Sequence, residues 1–145
     1  MDPKGSRVGI LSNGSPLFNG GAGSGWSNIR KHMLDNDLLD AIIALPGGLF
    51  YGTGIATYLW IFDNKKPESH KNKVLLINAA KDEYVQPMRK NLGMKNVLVS
   101  DYGRSEIGRI YHAFETCDNA KLMDKMISSI LILPLNVLSV LYTRM

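Results

Sequence analysis

Glycine-rich turns, aromatic residues at a strand mouth and clustered cations are the features of this chain whose spacing bears on chemistry. The run NGGAGSG at residues 19–25 has the composition of a phosphate or dinucleotide cradle, in which backbone N–H groups converge on an anion. Its glycines fall at 20, 21, 23 and 25, outside the GxGxxG spacing, and no Gly-Lys-Ser/Thr is present. No acid closes a following second strand to hold a ribose. The spacing therefore predicts a flexible loop. Gly23-Ser24-Gly25 matches only the turn of a nucleophile elbow, and Ser12, Ser15 and Ser24 have no His–acid pair near them in sequence. His32, His70 and His112 are scattered, with no Cys or acid at metal-ligand spacing. No residue is assigned a catalytic, cofactor-binding or metal-binding role on these patterns.

The stretch LFYGTGIATYLWI, residues 49–61, is the richest. Phe50 and Tyr51 stand at the mouth of a strand, and Thr53-Gly54 follows, where glycine lets the backbone turn sharply. Aromatics at such an edge either stack on a base taken out of a duplex or pack against a neighbouring helix. Both readings stay open. The cations are unevenly spread: residues 65–95 hold eight Lys or Arg against three acids, a balance of +5 in a chain of net charge +4. Lys65, Lys66, Lys71, Lys73, Arg89 and Lys90 are thus candidates for phosphate-backbone contact, whose attraction is sequence-independent. A solvated, charged loop accounts for the same composition.

Several elements must position these residues. The chain has 145 residues, 45% hydrophobic and 21% charged, enough for one domain with a modest core. The single Cys117 excludes an intramolecular disulfide and suits a reducing cytoplasm, and the polar residues 1–7 do not read as a secretory signal. Apolar runs at residues 8–12, 40–45, 56–62 and 74–79 predict four strands. Ser27 is a candidate N-cap for a helix reaching about Asp35, with Ile29, Met33 and Leu34 at helical spacing. Ile107, Ile110, Tyr111 and Phe114 place a second, amphipathic helix over residues 105–115. Residues 81–99 carry no assignable period. The order is that of an α/β sheet, with the first strand, helix and second strand a candidate βαβ unit and one antiparallel element beyond it.

The run RVGILSNGSPLFNGGAGSGWSNIRKHMLDNDLLDAIIALPGGLFYGTGIATYLWIFDNKKPESHKNKVLLINAA, residues 7–80, strongly resembles the modification subunits of type I restriction–modification systems. The likeness continues through RKNLGMKN (89–96) and EIGRIYHAFET (106–116). The family comprises adenine-N6 DNA methyltransferases that use S-adenosylmethionine. Its fold is a Rossmann-like, mostly parallel sheet of seven strands with a reversed last strand. The resemblance implies that VGILSNG is the fifth strand, SNIRKHMLDND the helix after it, DAIIALP the sixth strand and ATYLWIF the seventh. It places Phe50, Tyr51 and Thr53 near the target-base pocket. The family's catalytic Asn-Pro-Pro-aromatic motif is absent: prolines stand at 3, 16, 46, 67, 87 and 134, never adjacent. That motif and the glycine-containing cofactor turn are expected upstream of Met1. The implied reading is a partial methyltransferase domain, residues 1–116, inactive alone. The alternative is a non-catalytic module that binds DNA or another subunit. Implied partners are DNA, the specificity and restriction subunits, and a complementing upstream fragment.

Residues 117–145 diverge. From 127 to 143 no charge occurs, and Pro134 breaks a run too short to make a good membrane span. The abrupt loss of charge patterning predicts frame-shifted sequence after about Lys121.

Overall fold

The structure, a computed structural model, describes residues 2–124. The apolar runs form strands β1 (Arg7–Ser12), β2 (Leu39–Leu45), β3 (Thr57–Asp63) and β4 (Lys73–Asn78). Between the first two lie a short helix α1 (Ser15–Phe18), with Pro16 in its first turn, and α2 (Gly25–Asp35). The cap of α2 is Ser24, three residues before Ser27: its hydroxyl accepts the Ser27 N–H at 3.3 Å, so the helix starts inside the glycine run. Residues 81–99 contain a two-stranded hairpin of β5 (Val85–Leu92) and β6 (Lys95–Val99). Helix α3 (Asp101–Ala113) follows, capped by Ser100, whose hydroxyl accepts the Gly103 N–H at 3.0 Å.

The main sheet runs β1-β3-β2-β4-β7, where β7 is Ala120–Asp124. Strand β3 is antiparallel to both β1 and β2, so these two are parallel to each other, as β2 is to β4. The predicted βαβ unit is present with its strands separated: the reversed β3 lies between β1 and β2. The sheet does not stop at residue 116, because β7 pairs antiparallel with β4 from Ile77↔Ala120 to Lys73↔Asp124. The proposed frame-shifted tail otherwise lies outside the described residues.

Alternation along the strands builds two cores. Ile42, Ala44, Tyr58, Trp60, Phe62 and Leu76 meet Leu34 of α2 and Leu17 of α1 on one face. Ala41, Ile43, Leu75 and Ile77 meet Ile110 and Phe114 of α3 on the other. Strand β2 is buried on both faces except at Leu45, as a central strand should be. Strand β1 is its opposite. It hydrogen-bonds to β3 alone within the sheet. Val8 and Ile10 on the α2 face are 39% and 50% exposed, and Leu11 on the α3 face 51%.

A register shift between Leu39 and Ala41 turns Asp40 inward at the start of β2. Its carboxylate is fully buried, with Oδ1 3.0 Å from His70 Nδ1 and Oδ2 accepting the Tyr111 O–H at 2.5 Å. The His70 ring stacks on Phe114 with centroids 3.4 Å apart. Burial, and then the Asp40 carboxylate, push the Tyr111 phenol well above its ordinary range. Nearby, burial pushes the Asp63 carboxyl up, but the Lys65 N–H and the Arg7 guanidinium outweigh it and hold the group below the usual carboxylate range. Arg7 also lies 5.9 Å above the Tyr111 ring. This network joins β1, β2, β3 and α3 at one end of the sheet.

Candidate functional site

The opposite end of the sheet, where β1, β2 and β4 terminate, is where α/β folds place ligands. A cleft of about 350 Å³ opens there, lined by Leu11, Ser12 and Asn13 from the end of β1, by Phe50, Thr53 and Ile55 from the β2–β3 connection, and by Thr57. Phe50 and Thr53 pair across a tight turn and so line the cleft together. Tyr51, between them, does not. It is 72% exposed and turns towards the β5–β6 hairpin, where an added Cβ at Gly93 would stand 2.9 Å from its ring. Of the three residues that the sequence singled out, Phe50 and Thr53 line the cleft and Tyr51 does not.

Sequence reasoning missed Asn13 and Thr57. Asn13 is distant in sequence and reaches the cleft only because β1 pairs with β3. Thr57 reads as an ordinary strand residue, yet its Oγ1 is buried without a hydrogen-bond partner among the described residues. A buried hydroxyl without a partner costs stability. Thr57→Val is accordingly expected to leave urea stability unchanged or to raise it by up to about 1 kcal/mol. A loss above that would mean that the hydroxyl has a partner in the folded chain.

The glycine loop is held more firmly than its composition predicts. Arg30 of α2 donates to the carbonyls of Pro16 and Asn19 at 2.9 and 2.8 Å and to that of Gly20 at 3.2 Å. Gly20 and Gly23 take positive φ values of 86° and 83°, which only glycine adopts readily. The carbonyls of Asn19 and Gly20 are thus held by Arg30, and the Ser24 hydroxyl caps the start of α2.

The six candidate phosphate contacts divide between the two ends of the sheet. Lys65, Lys66, Lys71 and Lys73 flank the end of β3 and the start of β4, a strand length of about 20 Å from the cleft. Lys66 is not a surface cation at all. Its side chain is 2% exposed, and its ammonium donates to Asp37 at 2.8 Å and to the Lys73 carbonyl at 2.9 Å. Asp37 also accepts the Asn72 N–H at 2.9 Å, so the pair clamps the β3–β4 connection to the turn before β2. This removes Lys66 from the phosphate-binding set. Lys71 is paired with Glu68. Lys66→Ala is expected to cost about 2–3 kcal/mol, less than a fully buried pair because Asp37 is partly exposed. It should leave any salt dependence of DNA binding unchanged; a lower slope would return Lys66 to the binding set.

Arg89 and Lys90 are different. Both are exposed on the hairpin that follows β4, at the cleft end, and neither forms an ion pair among the described residues. Among the same residues there is no group of three metal-ligating side chains, and no helix is long and apolar enough to cross a membrane. His70 does meet an acid, Asp40, but the contact is structural and far from the cleft.

An open apolar groove adjoins the cleft on the α2 face. Ile10, Trp26, Ile29, Met33 and Trp60 line it, with a volume of about 190 Å³. Trp26 and Ile29 are 48% and 51% exposed, so the groove and the uncovered β1 form one continuous apolar surface.

Comparison with known proteins agrees with this architecture. The MjaVIII type I restriction enzyme methylase subunit of Methanocaldococcus jannaschii is 33% identical over 119 residues, covering 81% of this chain and 19% of that protein. The MjaIX methylase subunit of the same organism is 32% identical over 124 residues, 86% of this chain and 20% of that protein. The crystal structure of the type I restriction–modification methyltransferase subunit from Streptococcus thermophilus superposes with a TM-score of 0.68 at 25% identity, covering 84% of this chain and 23% of that one. The chain thus spans about a fifth of the length of these curated relatives. The sequence pattern of the N-6 DNA Methylase family matches residues 1–127, and the chain belongs to that family.

Proposed function

We propose that this chain forms the last strands of the catalytic domain of a type I restriction–modification DNA methyltransferase, and that it transfers no methyl group alone. In the intact enzyme the reaction moves a methyl group from S-adenosylmethionine to the N6 of adenine in DNA. The observation that carries the reading is the position of the cleft: it lies at the strand ends, directly beside the uncovered apolar edge of β1. Strands β1, β2 and β3 take the fifth, sixth and seventh places of the family sheet, with the reversed seventh inserted between the other two. The free edge of β1 then receives the strand that precedes it in the family fold, and the groove beside Trp26 and Ile29 receives the helix that comes with it. Those upstream elements carry the cofactor turn and the Asn-Pro-Pro motif. Phe50 supplies a ring to the face of an extruded adenine, and Thr53 supplies a hydroxyl near its edge. The specificity and restriction subunits are the further partners of the assembled enzyme.

The exposed Arg89 and Lys90 favour a second reading, a DNA-binding module without catalysis. A methyl-transfer assay with labelled S-adenosylmethionine and adenine-containing duplex separates the two. The chain is assayed alone and with an upstream fragment bearing the glycine turn and the Asn-Pro-Pro motif. Transfer only in the mixture is the expected result. Transfer by the chain alone overturns the proposed inactivity, and no transfer in either case overturns the catalytic reading in favour of the binding module.

A further inference from the structure

The β5–β6 hairpin has no part in either core, yet it is fastened to the turn that lines the cleft. The Met94 N–H donates to the Tyr51 carbonyl at 3.0 Å, and the Asn96 and Val97 N–H groups donate to the Gly48 carbonyl at 2.9 and 3.3 Å. Two close approaches confirm the fit. A Cβ at Gly48 would stand 2.0 Å from Asn96 Oδ1, and one at Gly93 would meet both the ring and the carbonyl of Tyr51 at 2.9 Å. The hairpin and the turn 48–54 therefore behave as one body. Its surface is unusual in two respects. Tyr51, Leu92 and Met94 are exposed at 72%, 52% and 58% on the tip. Within residues 48–54 and 85–99 there are three cations, Arg89, Lys90 and Lys95, and no acid.

An apolar tip on a purely cationic stem matches the chemistry of a distorted duplex. Apolar wedges enter between base steps, while cations take the flanking phosphates. A base extruded into the neighbouring cleft leaves a gap in the stack within reach of such a tip. We propose that the β5–β6 hairpin is a DNA-binding arm, in which Tyr51, Leu92 and Met94 abut the opened stack beside the cleft and Arg89, Lys90 and Lys95 contact the adjoining phosphates. The inference rests on the reading of the cleft as a target-base pocket, and it goes beyond that reading by assigning a partner to the hairpin.

The test uses the full chain and two fluorescent duplexes, one fully paired and one with a central unpaired adenine, titrated by anisotropy across a salt series. Wild type is expected to prefer the duplex with the unpaired adenine. The triple variant Arg89→Ala, Lys90→Ala, Lys95→Ala should lower the slope of log K against log salt by about 2.7, at roughly 0.9 per phosphate contact. Tyr51→Ala should keep the slope and lose about tenfold in affinity for the unpaired-adenine duplex alone. An unchanged slope in the triple variant overturns the arm, as does absence of salt-dependent binding by the wild-type chain. Leu92→Asp with Met94→Asp altering self-association while leaving duplex binding intact would make the tip a protein contact and overturn it equally. Methyl transfer on complementation is read separately, so a failed arm leaves the catalytic reading standing and the reverse also holds.

Discussion

Trp60→Ala is expected to lower the unfolding free energy by about 3–5 kcal/mol, seen as a fall in the urea midpoint followed by circular dichroism. Trp60 is 5% exposed, sits opposite Ile10 of β1 and Ile42 of β2, and stacks on Phe62 with centroids 6.1 Å apart. Its Nε1–H donates to the Ser12 hydroxyl at 2.8 Å, at the last residue of β1. Truncation removes the largest side chain of the α2 face and merges the space with a groove that is already open, so water enters and β1 loses its main apolar support. Hydrogen exchange should therefore show residues 7–12 losing protection before the central strands. Trp60→Phe gives up the hydrogen bond and part of the buried area, and should cost about 1–2 kcal/mol. A loss below about 1 kcal/mol for Trp60→Ala would mean that β1 does not rest on β3 as described.

Asp40→Ala should have an effect of similar size, about 3–5 kcal/mol, for an unrelated reason. No large apolar surface is lost. Instead the Tyr111 O–H and the His70 ring nitrogen are left in a dry site without the oxygens they face. Asp40→Asn should recover most of the loss: its carbonyl can accept from Tyr111, and its amide can donate to a His70 Nδ1 that carries no proton. Equal losses in the two variants would show that charge, and not the pattern of donors and acceptors, holds the network. Both substitutions lie far from the cleft, so neither should alter duplex affinity of the folded fraction.

The strands of the main sheet were legible where apolar runs are bounded by turn residues, as in VGILS-NG and DAIIAL-PGG; in β2 burial on both faces removes the need for alternation, whereas β1 is as apolar but exposed. Helix α3 was legible from the spacing of Ile107, Ile110, Tyr111 and Phe114, which is the stripe that meets the sheet. The order of the strands was not. Inserting β3 between β1 and β2 is a choice among non-local pairings: the pattern and the family resemblance both anticipated one antiparallel strand, but no local signal gave its place in the sheet. Strands β5 and β6 escaped notice because they bury little on either face, and Pro87 argues against a strand where the ladder is irregular. Strand β7 is short, lies at the edge and mixes polar with apolar residues. The cleft was half legible. Phe50 and Thr53 lie within one turn, but Asn13 and Thr57 join them through pairing that no local signal encodes. The cation cluster was legible as composition, but the fold divides it between two ends of the sheet and buries Lys66.

The hairpin is bound to the cleft turn through N–H and C=O groups of the main chain, at Tyr51, Met94, Gly48, Asn96 and Val97. Such a junction is indifferent to most side chains. Positions 89, 90, 92 and 95 can therefore be varied in combination without loosening the joint, whereas Gly48 and Gly93, at φ of 69° and 60°, cannot. The outward surface is thus free to diverge while its distance from the cleft stays fixed, which makes these four positions the natural ones to randomise in a library selected for altered contacts.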